Sequence, residues 1–126
     1  MTNPEIKYAS VVIHDEDRLL LACRPGLSLD LIGTELLLSE EPAQAAERAL
    51  RELASISVSD LAPDGTVESM QTPVSRYYLY KGSQVTGTPR GHGGVDLAWY
   101  HPRHVLATQM PVSVVLGAVL YQINRH

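Results

Sequence analysis

Two glutamates and an arginine between residues 40 and 52 have a spacing that can do chemistry. Glu40 precedes Arg48 by eight positions, and Glu52 follows it by four. Carboxylates gathered on one helix face can hold Mg²⁺ or Mn²⁺, hard cations that take oxygen ligands and share them with substrate phosphates. The same residues have a structural reading. Arg48 and Glu52 can pair across one helical turn, and Glu40 suits the positive end of a helix dipole.

Histidine supplies the other candidates. His92 lies between Gly91 and Gly93, where an imidazole on a turn can take or give a proton near neutral pH, or simply face solvent. His14 closes an alternating strand on the face of Tyr8, Ser10 and Val12, as a rim residue or a second acid/base group. His101 and His104 lack a nearby third ligand and read as surface residues. Arg24 can bind an anionic ligand, and Tyr78 or Tyr80 can stack on a ring. Cys23 has no basic neighbour except Arg24 to favour its thiolate, so it reads as a small buried hydrophobe.

These groups sit in a chain sized for one domain, residues 1–126. Its 44% hydrophobic and 19% charged composition is that of a globular protein. The formal charge of −4 comes without any Lys/Arg block, which argues against polymeric nucleic acid as a partner. A single cysteine and no charged-then-apolar leader point to a reducing cytoplasm. The apolar stretch from Met110 to Ile123 is too short to span a bilayer, so no membrane is expected. A small-molecule ligand is the remaining partner class.

The elements that must position the candidates follow from periodicity. Tyr8 to His14 and Arg18 to Arg24 form a hairpin around Asp15-Glu16-Asp17. Pro25 to Glu41 reads as a long loop, and Pro42 opens a helix running to about Ser55. A strand is expected around Ile56 to Leu61, then a turn at Pro63-Asp64-Gly65. Arg76 to Lys81 is a strand with Tyr77 and Leu79 on one face and Tyr78 and Tyr80 on the other. Gly82 to Gly94 reads as a breaker-rich loop, Val95 to His101 is extended, and Pro102 starts a short helix. The final helix, from Pro111, is apolar enough either to plug the core or to pack against a second subunit as a homodimer.

This order of elements resembles the Nudix fold, an α/β/α sandwich around a mixed β-sheet, and the 40–52 segment resembles the Nudix motif. That motif runs Gly, five residues, Glu, seven residues, Arg-Glu, an aliphatic, any residue, Glu-Glu, any residue, Gly and an aliphatic. With its Arg at Arg48, this chain matches at Glu40, Arg48, Leu50, Glu52 and Ile56. It departs at Thr34, beside Gly33, and at Ala49, Leu53 and Ser55, which stand where the motif has Gly, Glu, Glu and Gly. Leu19 to Pro25 and Asp96 to Tyr100 look like further strands of the family, so the resemblance spans nearly the whole chain.

The resemblance implies metal-dependent attack of water on a diphosphate, with Glu52 and Glu40 as metal ligands and His92 in a loop that can bring an extra catalytic residue. The departures imply the opposite emphasis. Ala49 and Leu53 replace two anionic groups with apolar ones, which suits an organic ligand better than a metal-bridged diphosphate. The expectation is a divergent Nudix-fold protein acting on a small metabolite, its Mg²⁺- or Mn²⁺-dependent hydrolysis weak or absent, with acid/base chemistry in the altered cleft. Two alternatives stay open: a non-catalytic ligand-binding or interaction module, and an active pyrophosphohydrolase using substrate-borne metal.

Overall fold

A computed structural model describes residues 5–23, 28–70, 74–107 and 110–124. Its centre is β1 (Ile6–Asp15), whose alternation decides the layering. Ala9, Val11 and Ile13 point to one face and Val12 to the other, and all four are buried. A strand buried on both faces needs a cover on each side.

On the first face lies α1 (Pro42–Ala54). Pro42 sits in its first turn, where a missing N–H costs nothing, and the Glu41 N–H donates to Gln44 Oε1 at 3.0 Å. Ala45, Ala46, Ala49, Leu50 and Ala54 are its buried residues. The small alanines let the helix axis approach Ala9 and Val11 of β1 closely. On the second face, α3 (Val114–Asn124) buries Val115, Leu116, Val119 and Leu120 against Val12, with Val105 from the short α2 (Pro102–Ala107).

The sheet is mixed. β1 pairs in parallel with β7 (Ser75–Gly82), from Ile6↔Ser75 to Ile13↔Gly82, and β7 pairs antiparallel with β6 (Ala62–Ser69). At its end β1 turns through the hairpin into β2 (Arg18–Cys23), which carries β9 (Asp96–Tyr100) and the short β3 (Leu29–Asp30). The other half of β1 pairs with β4 (Ile32–Glu35). A separate two-stranded ribbon joins β5 (Ser57–Val58) to β8 (Val85–Thr86).

The structure therefore corrects four local expectations. The segment expected as a long loop before α1 contains β3 and β4, whose mixed composition hid two short strands buried by tertiary packing. Pro63, Asp64 and Gly65 do not end a strand: they form an irregularity inside β6, between the Pro63 and Thr66 pairings. The glycine-rich stretch after β7 contains β8. The last helix starts at Val114, because Val112 bridges Leu29 and the Ser113 N–H donates to the Leu29 carbonyl at 2.9 Å.

Candidate functional site

Arg48 organises the segment around the start of α1. Its Nε donates to Glu40 Oε2 at 3.0 Å and its Nη2 to Glu40 Oε1 at 3.0 Å, a two-point grip on one carboxylate. Nη2 also donates to the Glu35 carbonyl at 2.9 Å, tying the end of β4 to the helix. The Leu37 N–H donates to Glu40 Oε1 at 2.9 Å. The Arg48 hydrogen bonds, then the Leu37 N–H, hold the Glu40 carboxyl below its ordinary pKa, and the same bond to Glu40 raises Arg48. Glu40 is thus an anion with both oxygens already engaged.

Glu52 is placed differently. Its Oε2 lies 3.5 Å from Arg48 Nη1, and its side chain is 56% exposed against 12% for Glu40. An exposed pair of this kind contributes little to stability, about 0.3–0.5 kcal/mol. Ala49, on the same helix, is buried in the core beneath α1. Leu53 faces a small cavity of about 190 Å³, shared with Ala22, Asp30, Ile32, Gly33 and Val95.

Gly33 is required where it stands. A Cβ there would lie 2.6 Å from the Ala9 carbonyl oxygen and 2.8 Å from Ser10 Oγ, so β4 can lie against β1 only without one. Asp30 closes the cavity's other side. Its Oδ1 accepts from the Leu31 N–H at 2.7 Å and from Ser113 Oγ at 2.5 Å, and Ser113 Oγ accepts from the Leu116 N–H at 3.1 Å. Asp30 therefore anchors the start of α3 to β3. It escaped sequence reading inside an apparent loop, although an acid between Leu29 and Leu31 was a usable signal.

The other candidates lie apart. His92 hydrogen-bonds through Nε2 to Ser55 Oγ at the C-terminal end of α1, where Ser55 adopts a left-handed backbone with φ 57°. The Arg90 N–H donates to the Ala54 carbonyl at 2.9 Å, fixing the same loop to the same helix end. Glu40 and His92 thus occupy opposite ends of α1, roughly 20 Å apart along a helix of 1.5 Å rise per residue. Tyr80 packs against the core on the α1 side, and burial, then Glu41 and Tyr78, raise its hydroxyl pKa. Tyr78 hydrogen-bonds Arg76, the largest cause of that residue's raised pKa. Neither tyrosine lines the small cavity. His14 lies across the sheet, in a larger cavity beside α3. Arg24 lies outside the described residues. On that second face Tyr8 and Tyr77 stack at 4.8 Å between ring centroids, a pair that sequence reading passed over.

Whether these residues fit a divalent ion is answered by their chemistry. Glu40 is engaged by Arg48 and the Leu37 N–H, positions 49 and 53 are apolar, and Glu52 is one solvent-exposed carboxylate. Among the described residues no group of three or more His, Cys, Asp or Glu is placed to share an ion. The set does not fit an all-protein Mg²⁺ or Mn²⁺ cage.

No family model and no curated protein matches this sequence. Solved structures do. A MutT Nudix hydrolase from Burkholderia pseudomallei superposes with a TM-score of 0.84 at 17% identity, covering 96% of this chain and 99% of that one. The chain has the Nudix fold. The E. coli ORF135 protein superposes on this Nudix fold with a TM-score of 0.80 at 21% identity, over 96% of this chain and 89% of that one. The Nudix domain of Shewanella oneidensis NrtR, solved in complex with ADP ribose, gives 0.78 at 19% identity over 98% and 88%. The mixed sheet and its flanking helices are those of the Nudix sandwich. No helix among the described residues is long and apolar enough to cross a membrane.

Proposed function

We propose that this chain is a cytoplasmic Nudix-fold protein that binds a small organic metabolite, with metal-dependent diphosphate hydrolysis weak or absent. The observation that carries this reading is the side chain of Leu53. It stands beside Gly33 in the small cavity, at a motif position where a glutamate would bring negative charge. The closed Arg48–Glu40 pair supports it, because a carboxylate held in two charge-assisted hydrogen bonds is a poor metal ligand. The NrtR domain, solved with ADP ribose, is a precedent for a Nudix fold holding a nucleotide-like ligand.

The test is turnover of nucleoside diphosphate derivatives with Mg²⁺ and Mn²⁺, run beside Glu52→Gln and with chelator. The expected result is slow or absent release, insensitive to both. Fast, chelator-sensitive turnover that Glu52→Gln abolishes overturns the reading.

One observation favours residual acid/base chemistry in the same fold. The His92 imidazole hydrogen-bonds the Ser55 hydroxyl at the end of α1, and the His92 carbonyl accepts from the N–H of Val95, which lines the cavity. His92→Gln separates this reading from pure binding: it lowers turnover of a substrate that undergoes proton transfer, while ligand affinity holds.

A further inference from the structure

A second cavity, larger than the one beside Leu53, is not beside α1. It lies on the opposite face of the sheet, at the β1–β2 turn, and has a volume of about 760 Å³, within the range of small-molecule sites. The sheet separates the two: Val11 and Ile13 pack toward α1, whereas Val12 and His14 face this space.

α3 crosses the sheet here and sets one small side chain, Ala118, against the space. Ala118 lines the cavity, and Gly117 before it is not demanded by close packing, since a Cβ there would meet only Val112 Cγ2 at an ordinary 3.7 Å. The chain has no Phe that could fill such a gap. The floor is apolar, with Leu19, Leu79 and Val119 all buried.

Polar groups ring this floor from separate elements. Lys81 from β7 shares Leu79's face, His14 comes from the end of β1, and His101 and Arg103 come from the exit of β9 and the start of α2. Lys81 sits a loose 3.6 Å from Asp64, leaving its ammonium able to turn to a ligand. Arg103 has no ion pair among the described residues. Arg18 also borders the cavity, but its guanidinium is engaged by Asp15 at 3.3 Å and lies over the Trp99 ring at 5.7 Å. The acids at the mouth are Asp64, already facing Lys81, and Glu16 and Asp17, exposed at the tip of the turn and screened by water.

We infer that this cavity is a second binding site, for an amphipathic anion whose apolar body covers Leu19, Leu79 and Val119 and whose carboxylate is held by Lys81, Arg103 and the two imidazoles. Arg18 is paired with Asp15, and Glu16 and Asp17 stand at the exposed tip of the turn, so the cations that meet a carboxylate at the floor are Lys81 and Arg103. This inference does not depend on the reading of the α1 side.

The experiment uses the full chain and a matched set of probes below micelle concentration: decanoate, decanol and decylamine, titrated calorimetrically at about pH 7.5, where the carboxylate and the amine carry opposite charges. Decanoate is expected to bind with one-to-one stoichiometry and about tenfold more tightly than the other two. Ala118→Phe fills the cavity and is expected to remove binding. Should that variant fail to fold by circular dichroism, Ile123→Trp at the mouth replaces it. The inference is overturned if decanol or decylamine binds as tightly as decanoate, if a folded filled variant binds unchanged, or if no probe binds.

Discussion

Arg48 holds Glu40 by both carboxylate oxygens, each at 3.0 Å, and with the same guanidinium reaches the Glu35 carbonyl. A lysine has no planar fork and can make only one of these contacts well. Because the native Glu40 pKa is lowered, its contribution to stability is present above the ordinary glutamate value of 4.5 and is lost as the pH falls through the lowered native value. Arg48→Lys is expected to reduce the thermal midpoint near neutral pH and to show a smaller acid loss, one that begins near 4.5 as in the native chain but is complete closer to that value. Thermal melts across an acid pH series check this, and superimposable profiles for the two proteins would count against it.

At the other end of the same helix, Ser55 carries a left-handed backbone that an L side chain resists, at a cost of about 1–2 kcal/mol. Glycine removes that resistance. Ser55→Gly is expected to raise unfolding free energy by about 1 kcal/mol despite losing the exposed hydrogen bond to His92. Ser55→Ala loses the hydrogen bond and keeps the backbone resistance, so it should destabilise slightly. Denaturant unfolding of the two variants gives opposite signs if the backbone dominates, and matching signs if it does not.

Much of this layout was legible beforehand. The alternation of β1, the first-turn Pro42 and the faces of Tyr77 to Tyr80 are local patterns, and local patterns survive folding. What was hidden depends on partners distant in sequence. Ile32 to Glu35 is a strand because β1 lies beside it, and Asp30 matters because Ser113 comes to it from the start of α3. The fate of Glu40 was likewise undecidable from spacing: its eight-residue separation from Arg48 fitted a shared metal site as well as the closed ion pair that the fold produces.

Gly33 offers a test of that non-local packing. An alanine would push its Cβ into the Ala9 carbonyl and Ser10 Oγ, both part of the central strand, where nothing can yield cheaply. Gly33→Ala is expected to cost about 1–3 kcal/mol in denaturant unfolding, the range for overpacking a tight site. Stability within error of the native protein would mean β4 is looser on β1 than the register implies.

If the apolar wall of the small cavity is what suppresses metal binding, restoring charge there should bring it back. Leu53→Glu places a carboxylate next to Gly33 and Asp30, whereas Ala49→Glu would bury one in the core and destabilise the helix. Leu53→Glu is expected to tighten Mn²⁺ binding by about tenfold over the native chain, since affinity rises with the number of ligand charges. Titration followed by Mn²⁺ electron paramagnetic resonance reads this, and unchanged affinity would place the obstacle elsewhere, in the engaged Glu40.

The outer face of α3 bears on assembly. Val114 and Tyr121 are seven residues apart, so they share a face, and they are 53% and 66% exposed, with Ile123 at 38%. Ala118 lies between them and borders the larger cavity, so a second copy seated on this face would also cover the cavity mouth. We propose that α3 forms a homodimer contact, which requires about 1,000 Å² of buried surface to be stable and hence residues beyond these three. Sedimentation velocity over a concentration series is expected to show a dimer that Tyr121→Glu dissociates, with decanoate affinity higher in the monomeric variant because the mouth is open. A native chain that stays monomeric at the highest concentration removes the dimer and leaves α3's exposed side chains as ordinary surface.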